Sequence, residues 1–180
     1  MLSNKLYFNN MINKNKNLIW WGIGLVFLAG LIVLFTLNKG GEQSDKTIYS
    51  ASVLSAVENT FDFNTISMKD GNVSHRFELK NNGTEPILIE KVYTSCMCTT
   101  ASIVNASGEN QGTFGMPGHA PLPKANIEVK SGESIFADVV FNPAAHGPQG
   151  TGKIKRIVYF ETNSKTNPKF QLLFEANVTN

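Results

Sequence analysis

Both cysteines of the chain lie two residues apart, in Ser95-Cys96-Met97-Cys98-Thr99-Thr100. Three states suit such a pair. A disulfide is one, although on an extended strand the two Cβ atoms stand about 6–7 Å apart against ~3.8 Å in a bridge, so closure requires a sharp turn. A pair of buried, inert thiols packed as small hydrophobes is the second. A thiolate pair for a soft metal is the third. Further donor atoms sit in two Gly/Pro-rich loops, Met116-Pro-Gly-His119 and Asn142-Pro-Ala-Ala-His146-Gly-Pro. Two thiolates, two imidazoles and a thioether form a copper-type donor set. If the loops converge, Cys96, Cys98, His119 and His146 complete the four-coordination of Cu(I), Cu(II) or Zn(II), with Met116 or Met97 as a weak extra ligand. His75 lies on the apolar face of an alternating segment and reads as a satisfied core or rim residue.

Other motifs carry less. Gly147-Pro-Gln-Gly-Thr-Gly-Lys153 matches the first seven places of a phosphate-binding loop, but Ile154 stands where Ser or Thr would hold magnesium. A β-patterned stretch follows it instead of the helix whose N-terminus receives phosphate, so no nucleotide is expected. There is no G-x-S-x-G elbow, no H-E-x-x-H and no legible carboxylate pair. The expectation is a protein that is not an enzyme.

The elements that must position these residues are strands. Val73, His75, Phe77 and Leu79 alternate with Ser74, Arg76, Glu78 and Lys80, a period of two with one buried face. Asn81-Asn82-Gly83-Thr84 supplies a turn before a second strand, Ile87 to Tyr93. Thr99–Val104, Ala125–Val129, Ser134–Phe141, Lys153–Thr162 and Phe170–Val178 follow in the same manner, with Phe61–Ile66 at the start. Seven or eight strands with Gly, Pro and Asn turns predict an all-β domain over 60–180, an immunoglobulin-like β-sandwich. Asn105–Lys124, rich in Gly and Pro, reads as an inserted loop of the kind that is functional or disordered.

Upstream, Leu18 to Leu37 is 20 residues without a charge, enough helix to span a bilayer core. Trp20 and Trp21 open it at headgroup level. It exceeds the apolar core of a cleaved signal peptide and ends in Phe35-Thr36-Leu37-Asn38-Lys39, which is no small-x-small cleavage site. The reading is one uncleaved transmembrane helix in contact with lipid, after a short cytoplasmic segment, 1–17, and before a polar linker, 38–59, with a weak helical turn near Ser52–Glu58. Lys5, Lys14 and Lys16 before the span, against Lys39 and Lys46 after it, place the N-terminus in the cytoplasm and the β domain outside.

Charge follows this division. Of 180 residues, 16 are basic and 14 acidic, a net of +2. Residues 1–39 contain four of the lysines and no acid, leaving the remainder at −2. So balanced a domain is no nucleic-acid binder.

Three stretches carry a family likeness: Phe61-Asp-Phe-Asn-Thr-Ile, then Phe77-Glu-Leu-Lys-Asn-Asn-Gly-Thr-Glu-Pro-Ile-Leu-Ile, then Ser95-Cys-Met-Cys-Thr. Together they resemble the bacterial domain of unknown function 1573. Ile127-Glu-Val-Lys-Ser-Gly-Glu-Ser and Val139-Val-Phe-Asn-Pro are similar to its second half, so the resemblance spans residues 60–178. It implies an immunoglobulin-like fold akin to domains of ciliary and sperm proteins that bind other proteins. The family's cysteine motif has Gly between the thiols where this chain has Met97. The Met116–His119 loop is an insertion relative to the family, which implies nothing for it. The expectation is therefore a membrane-anchored binding or scaffolding module of the bacterial cell envelope with an envelope protein as partner. Soft-metal binding is the alternative.

Overall fold

The computed structural model describes residues 20–21, 24–33, 49–119 and 124–180. The chain divides into two units, Met1–Lys46 and Thr47–Asn180. In the first, residues 20–21 and 24–33 are helical and exposed. No helix among the described residues is long and apolar enough to cross a membrane. The rest of Leu18–Leu37, the segment 1–17 and residues 38–48 of the linker lie outside the described residues.

The second unit consists of two five-stranded sheets. In chain order the strands are β1 (Leu54–Ala56), β2 (Thr60–Ser67), β3 (Val73–Asn81), β4 (Ile87–Thr94) and β5 (Thr99–Val104), then β6 (Asn110–Phe114), β7 (Lys124–Val129), β8 (Ser134–Phe141), β9 (Gly152–Thr162) and β10 (Lys169–Thr179). One sheet runs β1-β3-β8-β5-β6 and the other β2-β10-β9-β4-β7. Among the named strands of the described residues, β2 and β10 pair in parallel and the other pairs are antiparallel.

Alternation builds the core. Ile135, Ala137, Val139 and Phe141 of β8 are buried, and they face Val158 and Phe160 of β9 with Leu172, Phe174, Ala176 and Val178 of β10. The rings of Phe141 and Phe174 meet between the sheets at 5.4 Å. Phe170, expected in the same row, is only half-buried and packs against Phe160. A period of two with one apolar face leaves a strand no other way to bury that face, so the pattern fixes register as well as conformation.

Two strands were not expected. β1 lies within the linker, where a weak helical turn was anticipated; three residues are too few to show a period. Its pairing with β3 buries Leu54. β6 lies within the Gly/Pro-rich loop. Asn105 Oδ1 accepts from the backbone N–H groups of Ser107 and Glu109, a turn that returns the chain along β5. Among the residues of β6 only Phe114 is buried, so the sequence lacks a core-facing alternation to reveal it.

One buried amide ties the sheets together. Asn81 Nδ2, on β3, donates to the carbonyls of Val129 on β7 and Glu85, at 3.0 and 2.8 Å. Its Oδ1 accepts from Gly83 N at 2.9 Å. Gly83 is required by close approach, because a Cβ there would fall 2.6 Å from Ser52 Cα.

Candidate thiol and metal site

The connection from β4 to β5 crosses between the sheets at one end of the sandwich, and both cysteines lie on it. Register sets what surrounds them. Thr94 pairs with Val158, so Ser95 and the residues after it run beside Ile157 and Arg156. Thr99 pairs with Phe141, so Cys98 lies beside the end of β8 and the Asn142–His146 turn that follows it. Backbone bonds complete the frame: Ser95 N donates to Ile157 O, and Asn142 N donates to Cys98 O, each at 2.9 Å. Thr94 Oγ1, buried, donates to the carbonyls of Cys96 and Thr99 at 2.9 and 3.0 Å.

The turn so formed is sharp enough to close a disulfide between Cys96 and Cys98, with the Cα atoms 5.3 Å apart. An extended strand could not have done this, and the turn at Cys96-Met97-Cys98 is what brings the sulfurs together. Both cysteines are buried within the hydrophobic core cluster, while Met97 between them is half exposed.

Three polar side chains reach the sulfurs, one of them Thr99, whose Oγ1 lies 3.7 Å from Cys98 Sγ. His146 Nε2 is 3.1 Å from Cys96 Sγ. The turn carrying it is held by Asn142, whose Oδ1 accepts from Ala144 N, and by Gly147 N donating to Ala144 O. Gly147 itself has φ +61°, a conformation glycine adopts without penalty. On the other side Arg156 Nε donates to Cys98 Sγ at 3.3 Å.

Arg156 is the residue that reading the sequence missed. It lies on β9 in phase with Val158, Phe160 and Thr162, the inward positions of that strand. Burial lowers its pKa from the ordinary arginine value, and among the described residues no carboxylate pairs with it. A cation in the inward phase of a strand was the available signal.

The expected metal set assembles in part. The donor atoms of Cys96, Cys98 and His146 lie within 4.8 Å of one another. His119 does not join them: it is exposed, and its N–H donates to Met116 O at 3.2 Å, closing a local turn. That turn begins close by, since Thr94 N donates to Gly115 O at 3.1 Å. Met116 is half-buried there. The β6 end of the insertion is thus bonded to Thr94, two residues before Cys96, while His119 is exposed. In the oxidised state the sulfurs are bonded to each other and neither is a thiolate ligand; three donors converge only once the bridge is reduced.

The other sequence motifs take structural roles. Gly147–Gly150 is one 3-10 turn and the chain passes into β9, so no α-helix begins where phosphate would bind. His75 stacks on Phe61 at 3.6 Å and its Nε2 lies 2.5 Å from Glu58 Oε1, a satisfied rim residue as expected.

Comparison with known proteins agrees with this picture at the level of fold. The family model described as a protein of unknown function, DUF1573, matches residues 54–113. The match covers β1 to most of β6 and includes the cysteine pair; the similar stretches in β7 and β8 lie outside it. A protein of unknown function from Porphyromonas gingivalis W83 superposes with a TM-score of 0.53 at 16% identity, covering 74% of this chain and 51% of the other. This chain therefore spans about half the length of that protein. The secreted serine protease VesC of Vibrio cholerae has a TM-score of 0.44 at 16% identity, covering 69% of this chain and 23% of the protease. A PapD-like domain of human CEP192 has a TM-score of 0.41 at 14% identity, covering 70% of this chain and 84% of that domain. No curated protein matches the sequence. The likeness is one of fold alone, a two-sheet β-sandwich.

Proposed function

We propose that this chain is a membrane-anchored, extracytoplasmic binding module of the bacterial cell envelope. The ligand its geometry fits best is a soft metal ion, Cu(I) or Zn(II), held by Cys96, Cys98 and His146 after the disulfide is reduced. The observation carrying this reading is the convergence of two sulfurs and an imidazole nitrogen within 4.8 Å, at one end of the sandwich. Thiolate and imidazole donors suit both ions, and reduction to thiolates supplies the charge that neutralises them. A three-ligand set leaves one position open, which suits an ion passed to or from a partner protein in the envelope.

The anchor rests on the charge-free run from Leu18 to Leu37 and the excess of lysines before it. The role as a binding module rests on the fold, whose inward faces are filled by core side chains and whose distinctive chemistry lies in loops at the rim.

Differential alkylation tests the metal. The full-length chain in detergent is reduced, loaded with one equivalent of Zn(II) or Cu(I), and exposed to iodoacetamide with and without a chelator. Protection of both cysteines by metal, abolished by chelator and weakened in His146→Ala, is expected. Equal alkylation under all conditions would overturn the metal reading and leave a module that binds protein alone.

A further inference from the structure

The environments of the two sulfurs are unequal. Cys98 Sγ receives the Nε–H of Arg156 and has Thr99 Oγ1 at 3.7 Å, while Cys96 Sγ accepts from the neutral backbone N–H of Cys98 at 3.3 Å and has His146 Nε2 beside it. Cys96 is the more exposed, at 9% against 4% for Cys98. Between them Met97 is half exposed.

We propose that Cys96–Cys98 is a redox-active disulfide of fixed polarity, in which a dithiol attacks Cys96 Sγ and Cys98 departs as the thiolate onto Arg156. Thiol–disulfide exchange depends on access to the attacked sulfur and on stabilisation of the leaving one. Here access favours Cys96 and the guanidinium favours departure of Cys98. Among the described residues the Arg156 guanidinium pairs with no carboxylate and otherwise donates only to Lys155 O at 2.9 Å; a thiolate released 3.3 Å away supplies a charged partner. The bridge is also a poor staple. Closing a loop of three residues restricts the unfolded chain by only about 1–2 kcal/mol, against ~3 kcal/mol for a fifteen-residue loop.

One thiolate of the dithiol forms a bond to Cys96 Sγ, the Cys96–Cys98 bond breaks, and its electron pair stays on Cys98. The second sulfur of the dithiol, after losing its proton to solvent, attacks its neighbour in the mixed disulfide. This bond expels Cys96 as a thiolate, which takes up a proton. The dithiol leaves oxidised, and its two electrons remain on the two cysteines of this chain. The partner is thus an extracytoplasmic dithiol protein, and exchange requires only the oxidised chain. This goes beyond the metal reading, and either can fail without the other.

Trapping tests the polarity. The oxidised full-length chain in detergent is treated with reduced glutathione, quenched with N-ethylmaleimide and mapped by mass spectrometry. Glutathione on Cys96 with maleimide on Cys98, in at least tenfold excess over the reverse, is expected. Adducts on Cys98, equal adducts on both, or no adduct under conditions that reduce an exposed disulfide would overturn the proposal. Equilibration with a dithiol buffer then tests Arg156 as a positioning residue. Arg156→Gln is expected to favour the disulfide about tenfold, a potential lower by about 30 mV, with Arg156→Lys retaining most of the wild-type value. An unchanged potential in a folded Arg156→Gln chain would remove Arg156 from the account, and the wild-type trapping experiment stands whether or not that variant folds.

Discussion

Arg156 Nε donates to Cys98 Sγ at 3.3 Å, although the two residues are 58 positions apart. The contact follows from strand register. Thr94 opposite Val158 draws the cysteine connection along β9, and the inward phase of β9 turns Arg156 toward it. The charge is thereby placed where burial disfavours it, and the neighbouring sulfur is its counterpart.

A cation kept for chemistry rather than stability should be dispensable to the fold. Replacing a partly buried charge by an apolar side chain of similar length is commonly neutral or stabilising. Arg156→Met is expected to leave the stability of the oxidised chain unchanged or to raise it by about 1 kcal/mol, as read by urea denaturation. A loss above roughly 2 kcal/mol would mark Arg156 as structural.

The disulfide closes a loop of three residues, because Cys96 and Cys98 are separated by two positions. Reduction should therefore lower stability by no more than about 1–2 kcal/mol. Denaturation of oxidised and reduced chains under otherwise identical conditions measures the difference directly.

Asn81 is the opposite case. Its buried amide bridges β3 and β7 and also caps the turn at Gly83, using three hydrogen bonds. Asn81→Ala leaves Gly83 N and Val129 O without these partners and should cost about 2–4 kcal/mol. Calorimetric melting of the variant against wild type tests this, and a near-neutral effect would show that water takes over both groups.

On the outer face of the second sheet, Lys91 Nζ binds Glu161 Oε2 at 2.9 Å, and this hydrogen bond holds the Glu161 carboxyl below its usual range. A depressed carboxyl binds fewer protons in the folded state than in the unfolded one. Its contribution is present above the unfolded pKa and is lost as pH falls through the folded value. Glu161→Gln should therefore flatten the acid limb of a stability–pH profile while lowering neutral-pH stability by under about 1 kcal/mol, since the pair is open to solvent.

Much of the sandwich is legible in the sequence because its strands bury one face each. Ser134–Phe141 begins and ends where the alternation does, and Thr99–Val104 runs one buried residue, Val104, past it. β1 and β6 escape because Leu54 and Phe114 are their only fully buried residues, and one residue has no period. At the site, residue type and loop context point to Cys96, Cys98 and His146. Convergence requires the register of β4 with β9 and of β5 with β8, which no local spacing encodes. His119 shares the donor chemistry and the Gly/Pro loop context, but its turn closes on Met116 instead. The disulfide could be weighed but not assigned, because it depends on a turn between cysteines that propensity does not specify. Arg156 is legible in hindsight as a charge in the inward phase of an apolar strand.

The proposed role requires that one end of this sandwich carry a reducible disulfide whose two thiolates, once released, join one imidazole around a soft metal ion. Titration of the full-length chain with Cu(I) against a chromogenic chelator, before and after reduction, tests it most directly. One ion per chain is expected after reduction and none before, with binding abolished in Cys96→Ser and weakened at least tenfold in His146→Ala. Binding no tighter than micromolar in the reduced chain, or equal binding by the oxidised one, would contradict it.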